Sequence, residues 1–121
     1  MPFTRIALQR GKSSAYLQIL SATLHQALVE AFEVPPDDKF QVIDQYAPGE
    51  LIYDQHYLGG PRSENYVLFY ITVGKPRDAA TKQRFYQRLA ALLQQNLQLR
   101  PEDVMVIVVT SQLEDWSFST R

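Results

Sequence analysis

Four features of this chain could do chemistry, and they lie far apart in it: Pro2 directly after Met1, Asp38 in a turn past the first helical stretch, Lys75 and Arg77 within "VGKPRD", and the terminal "DWSFSTR". A proline behind an initiator methionine becomes, once that methionine is removed, a secondary amine on a rigid ring. A free α-amine titrates near about 7.7–8.0, burial lowers that value and a nearby carboxylate raises it. It can therefore be set to carry a proton between oxygen and carbon near neutral pH, or to stay cationic and polarise a carbonyl. The bland alternative is a strand-start residue, because proline has no N–H to give a sheet. Lys75 and Arg77 stand where a strand turns into a helix, and cations around a helix N-terminus form a site for an anion such as an oxo acid. A guanidinium at that end has little structural reason, since the helix dipole repels it. Lys75 has one, because Lys12 holds the matching place earlier in the chain. Asp38 likewise shares its turn with Asp103, so turn capping explains both aspartates. A carboxylate that reached Pro2 would favour the protonated amine. Trp116 and Phe118 alternate around Ser117 and can present both rings to one side, as a pocket wall or as interface packing.

The composition closes off other chemistries. There are no cysteines, which removes disulfides, thiolate catalysis and Cys–zinc sites together. His25 and His56 have no metal-ligand spacing, so neither a metal nor another cofactor is called for. Net charge is −1 with no basic stripe, which argues against nucleic acid as a partner. No stretch reads as a signal peptide or a membrane span, and a cytoplasmic location is the expectation.

The elements that must position these residues come in two similar halves, about 2–46 and 65–110, within one expected domain over 1–121. Each reads as strand, Gly-Lys, long helix, a proline–aspartate turn, then strand. Gly11 matches Gly74, Pro36 matches Pro101 and Asp38 matches Asp103. The spacing of Leu17, Leu20, Leu24, Leu28 and Ala31 predicts one helix, capped by Ser13 or Ser14 and stopped at Pro35-Pro36. Tyr86, Leu89, Ala90, Leu93 and Leu97 predict a second, with Asp78 as its cap and Pro101 as its stop. "YVLFYITV" and "VMVIVV" read as central strands. Strand–helix–strand units connect in parallel with right-handed crossovers. The expected fold is therefore α+β, a tandem β-α-β duplication with a four-stranded, mainly parallel sheet and two helices on one face. "LIYDQHY", between the halves, is expected to form a short strand or hairpin arm. Nothing is left to cover the other sheet face, so self-association is expected. His56 and Tyr46, Tyr53 and Tyr57 gather near the arm, where interface packing is the default reading.

In the order and spacing of Met1-Pro2, "AFEVPPDDKFQ", "APGEL", "TVGKPRDAATKQRFY", "PEDVMVIVV" and "DWSF", the chain resembles the tautomerase superfamily, and within it the malonate semialdehyde decarboxylase-like branch. The resemblance implies a β-α-β duplication assembled as a homotrimer, with Pro2 catalytic once Met1 is removed. It places an aspartate at Asp38, two carboxylate-binding cations at Lys75 and Arg77, and an aromatic wall at Trp116 and Phe118. Position 75 carries Lys where the branch carries Arg, which keeps the charge but loses the planar fork. The expected function is keto–enol isomerisation of a small oxo acid. The alternatives are decarboxylation of a 3-oxo acid such as malonate semialdehyde, a related hydration, and a non-catalytic trimer that binds a small anion.

Overall fold

In the computed structural model, which describes residues 1–119, alternation along the strands sorts the sheet into a covered and an open face. Strand β1 (Pro2–Gln9) buries Pro2, Thr4, Ile6 and Leu8, and β3 (Val67–Val73) buries Val67, Phe69, Ile71 and Val73. These side chains meet helices α1 (Ser14–Phe32) and α2 (Ala79–Leu97), which both lie on that face. With β2 (Gln41–Tyr46) and β4 (Val104–Thr110) the sheet order is β2-β1-β3-β4. The pairs β1–β2 and β3–β4 are parallel, as helix crossovers require, and the central pair β1–β3 is antiparallel. Two β-α-β units thus meet at an antiparallel seam. That seam sets the start of β1 beside the end of β3, with Pro2 opposite Val73.

The helices begin and end as their sequences predict. Ser13 caps α1 through a bond from the Tyr16 N–H, and Asp78 caps α2 through one from Thr81. Each closes on a left-handed residue, Glu33 or Gln98, and then on a buried apolar residue whose N–H reaches back six positions, Val34 to Leu28 and Leu99 to Leu93. The buried stripe of α2 is centred on Phe85, Leu89, Leu92 and Leu93, one step round from the expected one, and Tyr86, Ala90 and Leu97 lie at its margin. Phe85 fills that centre by packing on Phe32 at 4.5 Å. Among the described residues no helix is long and apolar enough to cross a membrane.

Two expectations need correction. "VMVIVV" is an edge strand, not a central one. Its Met105 and Val109 are exposed, and with Tyr70 and Val42 they leave apolar side chains on the sheet's open face beside the Arg5–Asp44 ion pair. Apolarity on both faces of an edge strand is what burial by another subunit, rather than by a neighbouring strand, would select. "LIYDQHY" forms neither strand nor hairpin but a run of turns. Local bonds win there: the Asp54 carboxylate accepts the His56 and Tyr57 N–H groups, and Tyr53 stacks on Tyr66 at 4.1 Å while its hydroxyl donates to the Ser63 carbonyl. Tyr57 itself remains exposed.

Asp103 fastens this linker. Fully buried, its carboxylate accepts the Ser63 N–H at 2.6 Å, the Ser63 hydroxyl at 2.8 Å and Arg100 Nε at 3.3 Å. Burial alone would raise its pKa, but the bonds from Ser63 and Arg100 outweigh burial and hold it below the usual carboxylate value. A depressed folded pKa means stability that is present in full above the unfolded value near about 3.9 and is lost as pH falls through the folded value. Asp103→Asn is expected to cost about 2–4 kcal/mol at neutral pH, because it leaves Arg100 and a Ser63 donor poorly paired beside a buried amide. Denaturant titrations of both proteins should converge as pH drops below about 3.9. A difference that persists undiminished in acid would show that packing rather than charge is at stake.

Candidate active site

The antiparallel seam builds the site. After Val73 the chain enters Gly74, whose N–H donates to the Met1 carbonyl at 3.0 Å, and then Lys75, Pro76 and Arg77 lead into the capped start of α2. Met1, Phe32, Glu33, Lys75 and Arg77 line one cavity of about 540 Å³. Pro2 is buried immediately behind Met1, at the head of β1. Asp38 comes in from the turn after α1, and its Oδ2 lies 3.1 Å from the Met1 ammonium. That contact distinguishes it from its counterpart: Asp103 faces inward to hold a linker, whereas Asp38 faces the chain's amino end.

Arg77 has a position that sequence alone does not give. Its guanidinium leans away from the start of α2 and onto the last turn of α1, donating to the Phe32 carbonyl at 2.9 Å and to the Lys75 carbonyl at 2.8 Å. It lies over the Phe32 ring at 4.7 Å. The carbonyl end of a helix welcomes a cation, so the repulsion expected at α2 is answered by α1. Burial lowers the Arg77 pKa and the Glu33 carboxylate works against that, leaving a cation held by two carbonyls with further N–H groups to offer. Lys75 is exposed on the cavity wall, and its counterpart Lys12 is spent on Asn65 and the face of Tyr16.

The aromatic pair approaches residue 1 over Gly74. Trp116 and Phe118 stack with centroids 6.1 Å apart, and Phe118 meets Phe40 at 5.6 Å. A Cβ added at Gly74 would stand 3.1 Å from the Met1 side chain and 3.2 Å from the indole nitrogen, so glycine here permits a close approach. Its counterpart Gly11 needs glycine for another reason, a φ of 127°. Met1, Lys75 and Arg77 therefore share the cavity, while Asp38 and Trp116 approach residue 1 without lining it, and Phe118 backs Trp116. Thr120 and Arg121, the end of "DWSFSTR", lie outside the described residues.

Two contributors carry no signal in the sequence. His25, on α1, bonds through Nε2 to the Pro36 carbonyl at 2.6 Å and so ties the Asp38 turn to the helix. Ser111 joins the end of β4 to both Val73 and Trp116. A wider groove of about 700 Å³ between the helices, crossed by the Glu30–Arg88 pair, contains none of the residues expected to act. Among the described residues no three of His, Asp and Glu lie close enough to share a metal ion.

Comparison with known proteins bears on the fold and the family. Two family models, both described as tautomerase enzyme, match residues 38–119 and 2–60. The chain is 40% identical over 118 residues to "Probable tautomerase YusQ" of Bacillus subtilis (strain 168), spanning 98% of this chain and 93% of that one. A crystal structure of malonate semialdehyde decarboxylase superposes with a TM-score of 0.90 at 33% identity, covering 97% of this chain and 90% of that one. A fused 4-OT, described as a symmetric trimer, shares the fold at 16% identity with a TM-score of 0.77, over 97% of this chain and 91% of its own. The chain belongs to the tautomerase family of enzymes.

Proposed function

We propose that, once Met1 is removed, Pro2 moves a proton between oxygen and carbon in the keto–enol isomerisation of a small oxo acid. The observation that carries this reading is the Pro2–Val73 register, which brings the amino end of the chain to Lys75 and Arg77. Arg77, held by the Phe32 and Lys75 carbonyls, is preorganised to meet a carboxylate, and Lys75 adds a mobile charge. With the substrate so anchored, the Pro2 nitrogen takes the enol O–H proton as the carbonyl forms. It returns that proton to the adjacent carbon, and no net proton is gained or lost. Trp116 and Phe118 would supply the apolar border that keeps water from the carbanionic centre.

One observation favours a second reading, decarboxylation of a 3-oxo acid such as malonate semialdehyde. Asp38 lies against the N-terminal ammonium, and a carboxylate there favours a cationic Pro2. A cationic Pro2 would polarise the 3-oxo group while the bond from the carboxylate carbon to Cα breaks. The electron pair passes into the enol, CO₂ leaves, and Cα is then protonated. Hydration of an unsaturated acid needs the same parts.

For either reaction we read 1–121 as one domain acting in a cytoplasmic homotrimer, the exposed apolar face of the sheet being its contact surface. The direct test treats protein freed of Met1 with a carboxylate-bearing electrophile and maps the adduct. Labelling is expected at Pro2, and Arg77→Ala is expected to slow it about 10-fold or more by removing a charge-assisted contact. Labelling confined to lysines would refute the site.

A further inference from the structure

The aromatic wall hangs on one serine. Ser111 follows the last residue of β4, and both its N–H and its hydroxyl donate to the Val73 carbonyl, at 2.8 and 2.9 Å. Its Oγ in turn accepts the indole N–H of Trp116 at 2.7 Å. The hydroxyl has one proton and it is committed to Val73, so the lone pair turned to the indole is fixed in direction. Between the two residues the chain makes a short bracket, a single 3₁₀ turn over Leu113–Asp115, closed by the Gln112 N–H on the Asp115 carboxylate at 2.9 Å. The bracket brings the indole back over Gly74, where it shares with Met1 the space a Cβ would take. Stacking on Phe118 sets the plane of the indole but leaves it free to slide and turn within that plane. The bond to Ser111 removes this freedom.

We infer that Ser111 is the positioning residue of the aromatic wall: it pins Trp116 over Gly74, beside the amino end of the chain, and thereby sets how closely the wall borders the Pro2 amine and its substrate once Met1 is removed. The inference rests on the proposed use of Pro2, but the anchoring belongs to the free protein and can be read without turnover. Trp116 is the chain's single tryptophan, so its emission reports this one indole.

The experiment compares wild type, Ser111→Ala, Ser111→Thr and Trp116→Phe, all freed of Met1. In Ser111→Ala the emission of the substrate-free protein is expected to move to longer wavelength and acrylamide quenching to increase. KM for a small oxo acid is expected to rise about fivefold, the usual worth of one neutral hydrogen bond, with a smaller change in kcat. Ser111→Thr, which keeps the hydroxyl, is expected to restore both readouts. In Trp116→Phe, which keeps a ring and lacks the N–H, adding Ser111→Ala is expected to change KM no further. Unchanged emission and quenching in Ser111→Ala would overturn the anchoring. Altered emission with unaltered kinetics would overturn its link to the substrate. An equal penalty in the Trp116→Phe background would assign Ser111 to Val73 alone and also overturn it. A wild type with no turnover would instead sink the Pro2 reading, and the fluorescence comparison would still decide the bond.

Discussion

Pro2→Ala, in protein from which Met1 has been removed, is expected to lower turnover of a small oxo acid about 10²- to 10⁴-fold, the usual contribution of a positioned acid–base group. The substitution leaves an α-amine at the same place in sequence, but a primary one, free to turn about its N–Cα bond. Pro2 has its nitrogen locked in a ring that is itself buried at the head of β1. The strand should survive, because β1 is central and bonded along both edges from Thr4 onward. A circular dichroism spectrum and melting curve close to wild type are therefore part of the expected result. The same argument predicts that protein retaining Met1 is inactive, since its Pro2 nitrogen is an amide without basicity. Intact mass measured beside activity checks this: specific activity should scale with the fraction lighter by one methionine. Undiminished turnover in Pro2→Ala, or full activity in uniformly Met1-bearing protein, would remove Pro2 from the reaction.

Local features of this protein are legible in its sequence. Helix caps at Ser13 and Asp78 follow from side chains that satisfy neighbouring N–H groups, and such bonds span three residues. The central place of β3 follows from its nearly continuous apolar run. What stayed hidden is long-range or depends on which partner wins. Nothing local tells the Asp38 turn from the Asp103 turn; the difference lies in what arrives from elsewhere, Met1 in one case and Ser63 in the other. Arg77 reads as a cation misplaced at a helix start until the fold brings the Phe32 carbonyl to it across 45 residues. The apolar run "VMVIVV" carries no mark of edge or centre, because burial by a neighbouring strand and burial by another subunit select the same side chains.

Asp38→Asn should separate the two reactions that one proline could run. Asp38 Oδ2 lies 3.1 Å from the Met1 ammonium, one residue ahead of Pro2. On the proposed use of Pro2 the Asp38 charge is expected to stabilise the protonated amine, and the cations Lys75 and Arg77, which line the adjoining cavity, to oppose it. Neutralising the carboxylate without changing its shape therefore lowers the Pro2 pKa, and more of the amine is unprotonated at a given pH. A reaction that needs the free base gains from this: the acidic limb of kcat/KM for keto–enol isomerisation is expected to move to lower pH, with activity below neutrality held or raised. A reaction that needs the cation loses: decarboxylation of malonate semialdehyde near neutral pH is expected to fall about 10²-fold, and its alkaline limb to move the same way. Both assays run on one preparation of Asp38→Asn, so a damaged fold cannot imitate the result, which is a change in the ratio of two activities. A parallel fall in both, with neither limb displaced, would mean that Asp38 holds its turn in place and does not govern the charge on Pro2. That outcome would return it to the capping role its position in the repeat first suggests.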